Sequence, residues 1–280
     1  MQRTPSHRLT LILPVLLLLL AAPAFAADYV LNLTDASLVG GTAVYDATSG
    51  AINDGYWSIG EGVWLPLPPA NLFGSGAAVT IDDIDQVTYT TRTGDTLANV
   101  DVAFQMYTVP SSDPALGGND ASWFQRLLKA EPLYFDDYSA NFPDDTWNTF
   151  DTNDATSPVR FYDGRGHTFA GFYGGPTLAD VQGAEYCDLW SSFPSSGGDS
   201  TSYNYGNMSI LSFVLATSTG GNWAGFEGDL DQLYISLNNG DTATVNFDAV
   251  NPSDNSPEPA TWVLLACTGV AAVIRRRRAA

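Results

Sequence analysis

Apolar and polar positions alternate along most of the chain between residues 27 and 250, and a period of two predicts strands rather than helices. Tyr29, Leu31 and Leu33 alternate with polar neighbours. Val79-Thr80-Ile81 leads through Asp82-Asp83 to Val87-Thr88-Tyr89-Thr90-Thr91, a run rich in the β-branched residues that suit a pleated surface. Val100, Val102, Phe104 and Met106 share the same spacing and should line one face of a strand. Ile210 to Ala216 is apolar on nearly both faces, as a strand covered on both sides should be. Val159–Tyr162 and Thr168–Tyr173 flank Asp163-Gly164-Arg165-Gly166 as a candidate hairpin. The clearest pair comes last: Leu233, Ile235 and Leu237, then Asn239-Gly240, then Ala243, Val245 and Phe247. Alternation on both sides of Asn-Gly predicts a β-hairpin, because those two residues accept the backbone of a tight reversal.

Helical spacing is rare. In Ala121–Ala130, Trp123 and Leu127, and Phe124 and Leu128, recur at i, i+4 behind Asn119-Asp120 as a cap, and the same residues also read as a strand. Pro176–Val181 has the pattern of one short helical turn. Gly, Ser, Asn, Asp and Pro fill the intervals, with no internal repeat of about 20–50 residues. Turn signals at this density predict an all-β fold: an antiparallel β-sandwich over residues 27–250, followed by a linker at 251–256.

Both ends follow a different pattern. Arg3, His7 and Arg8 precede an apolar core, Leu9–Leu20, and Ala24-Phe25-Ala26 precedes Ala27. That order predicts a secretory signal peptide over residues 1–26, cut by signal peptidase after Ala26. At the other end Pro257-Glu258-Pro259 is followed by an apolar run over 260–274 and by Arg275, Arg276, Arg277 and Arg278. The prolines hold Glu258 in extended backbone, the form a processing enzyme can grip. As a helix the run reaches about 22 Å, short of a hydrocarbon core of about 30 Å unless flanking residues extend it or the bilayer thins. The arginines keep to the cytoplasmic side and leave the body of the chain outside.

This order of Pro-Glu-Pro, apolar helix and basic cluster resembles the PEP-CTERM sorting signal of exosortase substrates in Gram-negative bacteria. The resemblance covers residues 257–280. It implies export, transient anchoring in the inner membrane by a transmembrane sorting helix, and cleavage near Pro257-Glu258-Pro259 by an exosortase. It further implies delivery to the cell surface or extracellular matrix, with a structural or adhesive role in biofilm or exopolysaccharide. An anchor that is never cut is the alternative.

Composition narrows what the body can do. Of the 31 Asp and Glu, all but Glu258 lie between the two end segments, against Arg92, Arg126, Lys129, Arg160 and Arg165 alone. Such a surface repels nucleic acid and anionic lipid, and its aromatic and β-branched content argues against disorder. Cys187 is the only cysteine of the body and Cys267 lies in the apolar run, so no intramolecular disulfide framework is available. A Cys187–His167 nucleophile pair lacks any local motif.

Three candidate chemistries remain. Asn222–Ile235 resembles the closing strands of concanavalin-like jelly-roll modules, through Phe226, Gly228, Leu230, Asp231 and Leu233. Within it Glu227, Asp229 and Asp231 fall at i, i+2, i+4 and on a strand would share one face. That is similar to the acid-rich strand of some jelly-roll glycoside hydrolases, which implies paired carboxylates as nucleophile and general acid. Here the third position is Asp where those enzymes have Glu, and Gly228 interrupts the strand, so a turn or strand-end role competes. The acidic stretches Asp82, Asp83, Asp85 and Asp151, Asn153, Asp154 offer oxygens to Ca²⁺, though none has EF-hand spacing and a solvated turn is the simpler reading of each. Trp57, Trp64, Trp147 and Trp190 lie in Gly-, Ser- and Asn-rich surroundings, where flat rings stack on polysaccharide or else pin loops to a core. With no phosphate loop, Ser-His-Asp spacing or basic patch, the readings left are a structural or adhesive protein, a carbohydrate-binding module with or without Ca²⁺, and a glycoside hydrolase or lyase.

Overall fold

The computed structural model describes residues 28–32, 41, 43–46, 50–52, 55–94, 100–111, 113, 127–135, 142–163, 175–183 and 204–247. The signal segment 1–26, the sorting segment 257–280, Trp190 and the strand expected at 168–173 lie outside those residues. Among the described residues no helix is long and apolar enough to cross a membrane.

The described chain is mostly strand. A first group is β1 (Asp28–Asn32), β2 (Ala43–Asp46), β3 (Tyr56–Gly60), β4 (Trp64–Leu67), β5 (Ile84–Thr93) and β6 (Ala103–Thr108). The second is β7 (Leu127–Ala130), β8 (Asn148–Asp151), β9 (Tyr162–Asp163), β10 (Ile210–Ala216), β11 (Glu227–Leu237) and β12 (Thr242–Asn246). Two short helices accompany them, Pro69–Leu72 and Leu178–Gly183, the second where a helical turn was expected.

Two sheets result. In the five-stranded sheet the order is β4-β10-β6-β7-β9. The seven-stranded sheet is organised around β11. Along one edge β11 pairs with β5, and β5 in turn with β8. Its other edge takes β3 over Glu227–Leu230 and then β12 over Gln232–Ser236. β2 continues from β3, and β1 from β12. Every pairing is antiparallel except β1 on β12, which is parallel, so the antiparallel expectation fails at that one edge.

The core fills the space between the sheets. Trp57, Tyr89, Leu230, Leu233, Ile235 and Val245 come from the larger sheet, and Leu65, Phe104, Met106, Leu128, Phe213 and Leu215 from the smaller. Tyr89 stacks on Phe104 at 6.1 Å, and Phe104 on Phe213 at the same distance. Such ring pairs contribute about 0.5–1.5 kcal/mol each beyond the area they bury.

Several expectations are met in detail and others are corrected. β10 occupies the apolar run, with Phe213 and Leu215 in the core and Val214 fully buried on the opposite face. Val102, Phe104 and Met106 all join the core. The last hairpin forms, with a three-residue loop: Gly240 N–H bonds Leu237 O at 2.8 Å, Leu237 N–H bonds Asp241 O at 2.8 Å, and Gly240 has φ +93°. Leu127–Ala130 is strand, not helix, because pairing Met106 with Leu128 and Phe104 with Ala130 puts both side chains into the core. Val79–Ile81 is not a strand either; Thr80 makes one bridge to Ser209, and Ile81–Asp83 then turns as a 3-10 helix.

Candidate functional site

The acid-bearing strand is β11, and its three carboxylates end up in three environments. Gly228 faces inward beneath Phe226, where a Cβ would lie 2.7 Å from the ring, so the interruption in the acidic pattern is a close-packing position. Glu227 and Asp229, on either side of it, face outward; Glu227 is exposed. At Asp231 the register against β5 shifts, Leu230 pairing with Thr91 but Gln232 with Thr90. This bulge sits where β3 ends and β12 begins, and it takes Asp231 out of the alternating face. The Asp231 side chain is fully buried and accepts the Ile52 N–H at 2.6 Å, while its backbone O accepts the Phe247 N–H at 3.1 Å. Asp231 therefore ties a loop to the sheet at the fork.

Asp229 belongs to a polar cluster drawn from strands far apart in sequence. Its Oδ2 accepts Arg92 Nε at 2.8 Å and pairs with the terminal guanidinium nitrogen at 2.7 Å; its Oδ1 accepts Ser58 Oγ at 2.6 Å. The guanidinium also lies 5.0 Å from the Tyr56 ring centre and 4.8 Å from that of Trp147, and those rings meet edge-on at 5.3 Å. Tyr56 in turn donates to Asp46 Oδ2 at 3.1 Å. Burial pulls the Arg92 pKa down, but the hydrogen bond and charge of Asp229, joined by Tyr56, outweigh it and leave the group above its ordinary value. The positive charge is thus permanent, and Asp229 is held as its counter-ion.

Around this cluster lies an open groove of about 840 Å³ over β2, β3, β11 and β5. Ser58, Arg92 and Asp229 are on its floor, and Glu61, Asp145 and Glu227 are on its walls, none of the three in an ion pair among the described residues. Asp145 holds its place through a left-handed backbone, φ +57°, and donates its N–H to Thr93 O at 2.8 Å. Double-displacement or acid–base hydrolysis needs two accessible carboxylates. Of the three candidates on β11, Glu227 alone is exposed and makes no side-chain bond among the described residues. The groove thus offers a fixed cation and several hydrogen-bond acceptors, while the Tyr56 and Trp147 rings contact the guanidinium without lining it.

The acidic loops do converge, at the end of the larger sheet where β5, β8 and the β11–β12 turn meet. Asn153 Nδ2 bonds Asp85 O at 3.2 Å, and Asn238 bonds Asp82 O at 2.7 Å and Asp83 O at 2.8 Å. Their carboxylates, however, are occupied locally. Asp83 accepts the Thr80 N–H and hydroxyl, Asp85 accepts Ser236, Asp151 accepts Gln86 and the Asn153 N–H, and Asp154 accepts the Thr156 and Ser157 N–H groups. The Ser157 and then Thr156 bonds hold the Asp154 pKa below the usual carboxylate range. Among the described residues no three His, Cys, Asp or Glu come together in a group that could hold a metal ion.

The aromatic candidates separate as well. Trp57 is 1% exposed and meets Phe247 edge-on at 5.5 Å in the core, so it is a packing residue and not a stacking platform. Trp147 belongs to the Arg92 cluster, and Trp64 lies on the outer face of the smaller sheet. The sequence singled out Asp229, Glu227, Trp147 and, among its aromatic candidates, Tyr56, but missed Arg92 and Ser58. A signal was present: Arg92 is one of five basic residues in a strongly acidic body and follows a run of uncharged residues, Gln86–Thr91. No protein-family model, curated protein or solved structure matches this chain.

Proposed function

We propose that this chain is an exported surface or extracellular-matrix protein, delivered by its N-terminal signal, sorted and cut by an exosortase, with a structural or adhesive role in exopolysaccharide. The observation that carries this reading is the order of three independent features: Pro257-Glu258-Pro259, the apolar run 260–274, and Arg275–Arg278. The body between the two end segments is an acidic, jelly-roll-like domain. The test is fractionation of cells producing the full chain. The unaltered protein should reach the surface or medium, while Glu258→Ala should accumulate in the inner membrane. Equal release of both would remove exosortase processing from the account.

A second reading, a carbohydrate-binding module, is favoured by the Arg92 groove. The Arg92–Asp229 pair, the Ser58 hydroxyl and the exposed Val44 side chain on one lining give a long polymer both hydrogen-bonding and apolar contacts. Co-sedimentation with the producing organism's exopolysaccharide tests it, and a chelator tests whether Ca²⁺ takes part. Shortening of the polymer that is lost in Glu227→Gln would instead favour a glycoside hydrolase or lyase.

A further inference from the structure

The smaller sheet carries a second, separate site. On its outer face the register sets Trp64 beside Ala216, Ala216 beside Ala103, and Gln105 beside Lys129. The two alanines are small, and the taller side chains around them leave a slot of about 190 Å³. It adjoins a cleft of about 310 Å³ that shares Lys129, Glu131, Ser218 and Trp223 with it. Together they fall within the roughly 300–1,000 Å³ of ordinary small-ligand sites.

Three polar groups facing this space have hydrogen-bonding capacity to spare. Gln105 is only 7% exposed, and its amide makes no side-chain hydrogen bond among the described residues. The Trp64 indole N–H is buried without a bond of hydrogen-bond geometry, although it offsets part of the upward push that burial gives the Tyr107 phenol. Lys129 pairs with Glu131, which is 9% exposed, and its ammonium lies 6.0 Å from the Tyr162 ring. One carboxylate leaves a three-donor ammonium with capacity to spare. A buried polar group left unmade costs about 1–3 kcal/mol, and the Trp64 N–H is one such group beside the unpaired Gln105 amide.

The chemistry of that occupant follows from charge and shape. Lys129 and Glu131 cancel each other. The nearby Asp101 carboxylate is engaged by the Thr91 hydroxyl at 2.9 Å and the Val102 N–H at 2.6 Å. A charged ligand would face an opposing charge of its own sign on one side or the other. A neutral ligand that is flat, apolar on one face and rich in hydroxyls fits an indole wall, an amide and a spare ammonium. We propose that this slot binds one neutral pyranose unit, packed against Trp64 and hydrogen-bonded by Gln105 and Lys129. It lies on the sheet opposite the Arg92 groove and does not depend on that groove's having a ligand.

The test uses the full chain purified in detergent, titrated with methyl glycosides of glucose, galactose, mannose and N-acetylglucosamine. Methyl glucuronide and glucosamine serve as charged controls, and binding is followed by saturation-transfer NMR. At least one neutral glycoside should saturate in the millimolar range, about tenfold more tightly than either control. Gln105→Leu should weaken that binding about tenfold or more while leaving the melting temperature essentially unchanged, since the amide makes no side-chain hydrogen bond among the described residues. Trp147→Ala, on the other sheet, should leave it intact. The proposal is overturned if no neutral glycoside saturates, if a control binds as tightly, or if binding survives Gln105→Leu and is lost in Trp147→Ala.

Discussion

Replacing Asp229 with alanine removes the counter-ion of Arg92 and the acceptor of Ser58 in one step. The Arg92 side chain is 32% exposed and that of Asp229 16%, so the pair is shielded from water only in part. Breaking a fully buried pair costs about 3–5 kcal/mol, and an exposed one contributes about 0–1 kcal/mol. Two charge-assisted bonds at 2.7–2.8 Å and a hydroxyl bond at 2.6 Å place this pair between those limits, at about 2–3 kcal/mol. The ring contacts with Tyr56 and Trp147 remain in the variant and keep the loss from going higher. At about 2–4 °C per kcal/mol for a domain of this size, the melting temperature should fall by roughly 5–10 °C. Asp229→Asn, which keeps an acceptor for Ser58, should lose about half as much. Thermal and urea unfolding by circular dichroism measure both, and a cycle with Arg92→Met should give a coupling of about 1–2 kcal/mol. A loss under about 0.5 kcal/mol with no coupling would show an ordinary solvated surface pair and refute the reasoning.

Asp231→Ala removes a fully buried side chain and its bond from the exposed Ile52 N–H, and should cost about 1–3 kcal/mol by urea unfolding, with Asp231→Asn milder. Gly240→Ala forces a Cβ into φ +93° and should cost about 1–2 kcal/mol in the same assay. Burial, and then the charge of Glu131, raise the Tyr162 pKa far above the ordinary phenol range. Because the folded value is raised, this group's stabilisation is complete below the unfolded pKa of about 10 and is lost progressively above it. An absorbance titration should therefore show one phenolate appearing only with unfolding, and Tyr162→Phe should remove that step. A chelator should leave the melting temperature unchanged, because the carboxylates of Asp83, Asp85, Asp151 and Asp154 already accept bonds from the chain.

Legibility in the sequence tracked how local the physics is. β10 and the β11–β12 hairpin are set by side-chain alternation over a few residues, and there the pattern was sufficient. Leu127–Ala130 was ambiguous because two leucines fit either period, and only pairing with β6 decides between them. The bulge at Asp231 was invisible for a related reason. Three acids at i, i+2, i+4 share a face only while the register holds, and here it breaks where β11 passes from one neighbour to the next. The Arg92 cluster needs β3, β5, β8 and β11 side by side, with Ser58 and Asp229 171 residues apart. No spacing rule reaches across such a distance. Trp57 and Trp147 look alike in sequence, yet one side of a strand faces the core and a loop beside another carries its ring over a guanidinium.

The intact mass of the form released from the cell surface tests the central claim most directly. Sorting and cleavage predict a chain that begins at Ala27 and ends near Pro257-Glu258-Pro259, without Arg275–Arg278. A released form that still carries the four arginines would contradict exosortase cleavage and leave the C-terminal segment an uncut anchor.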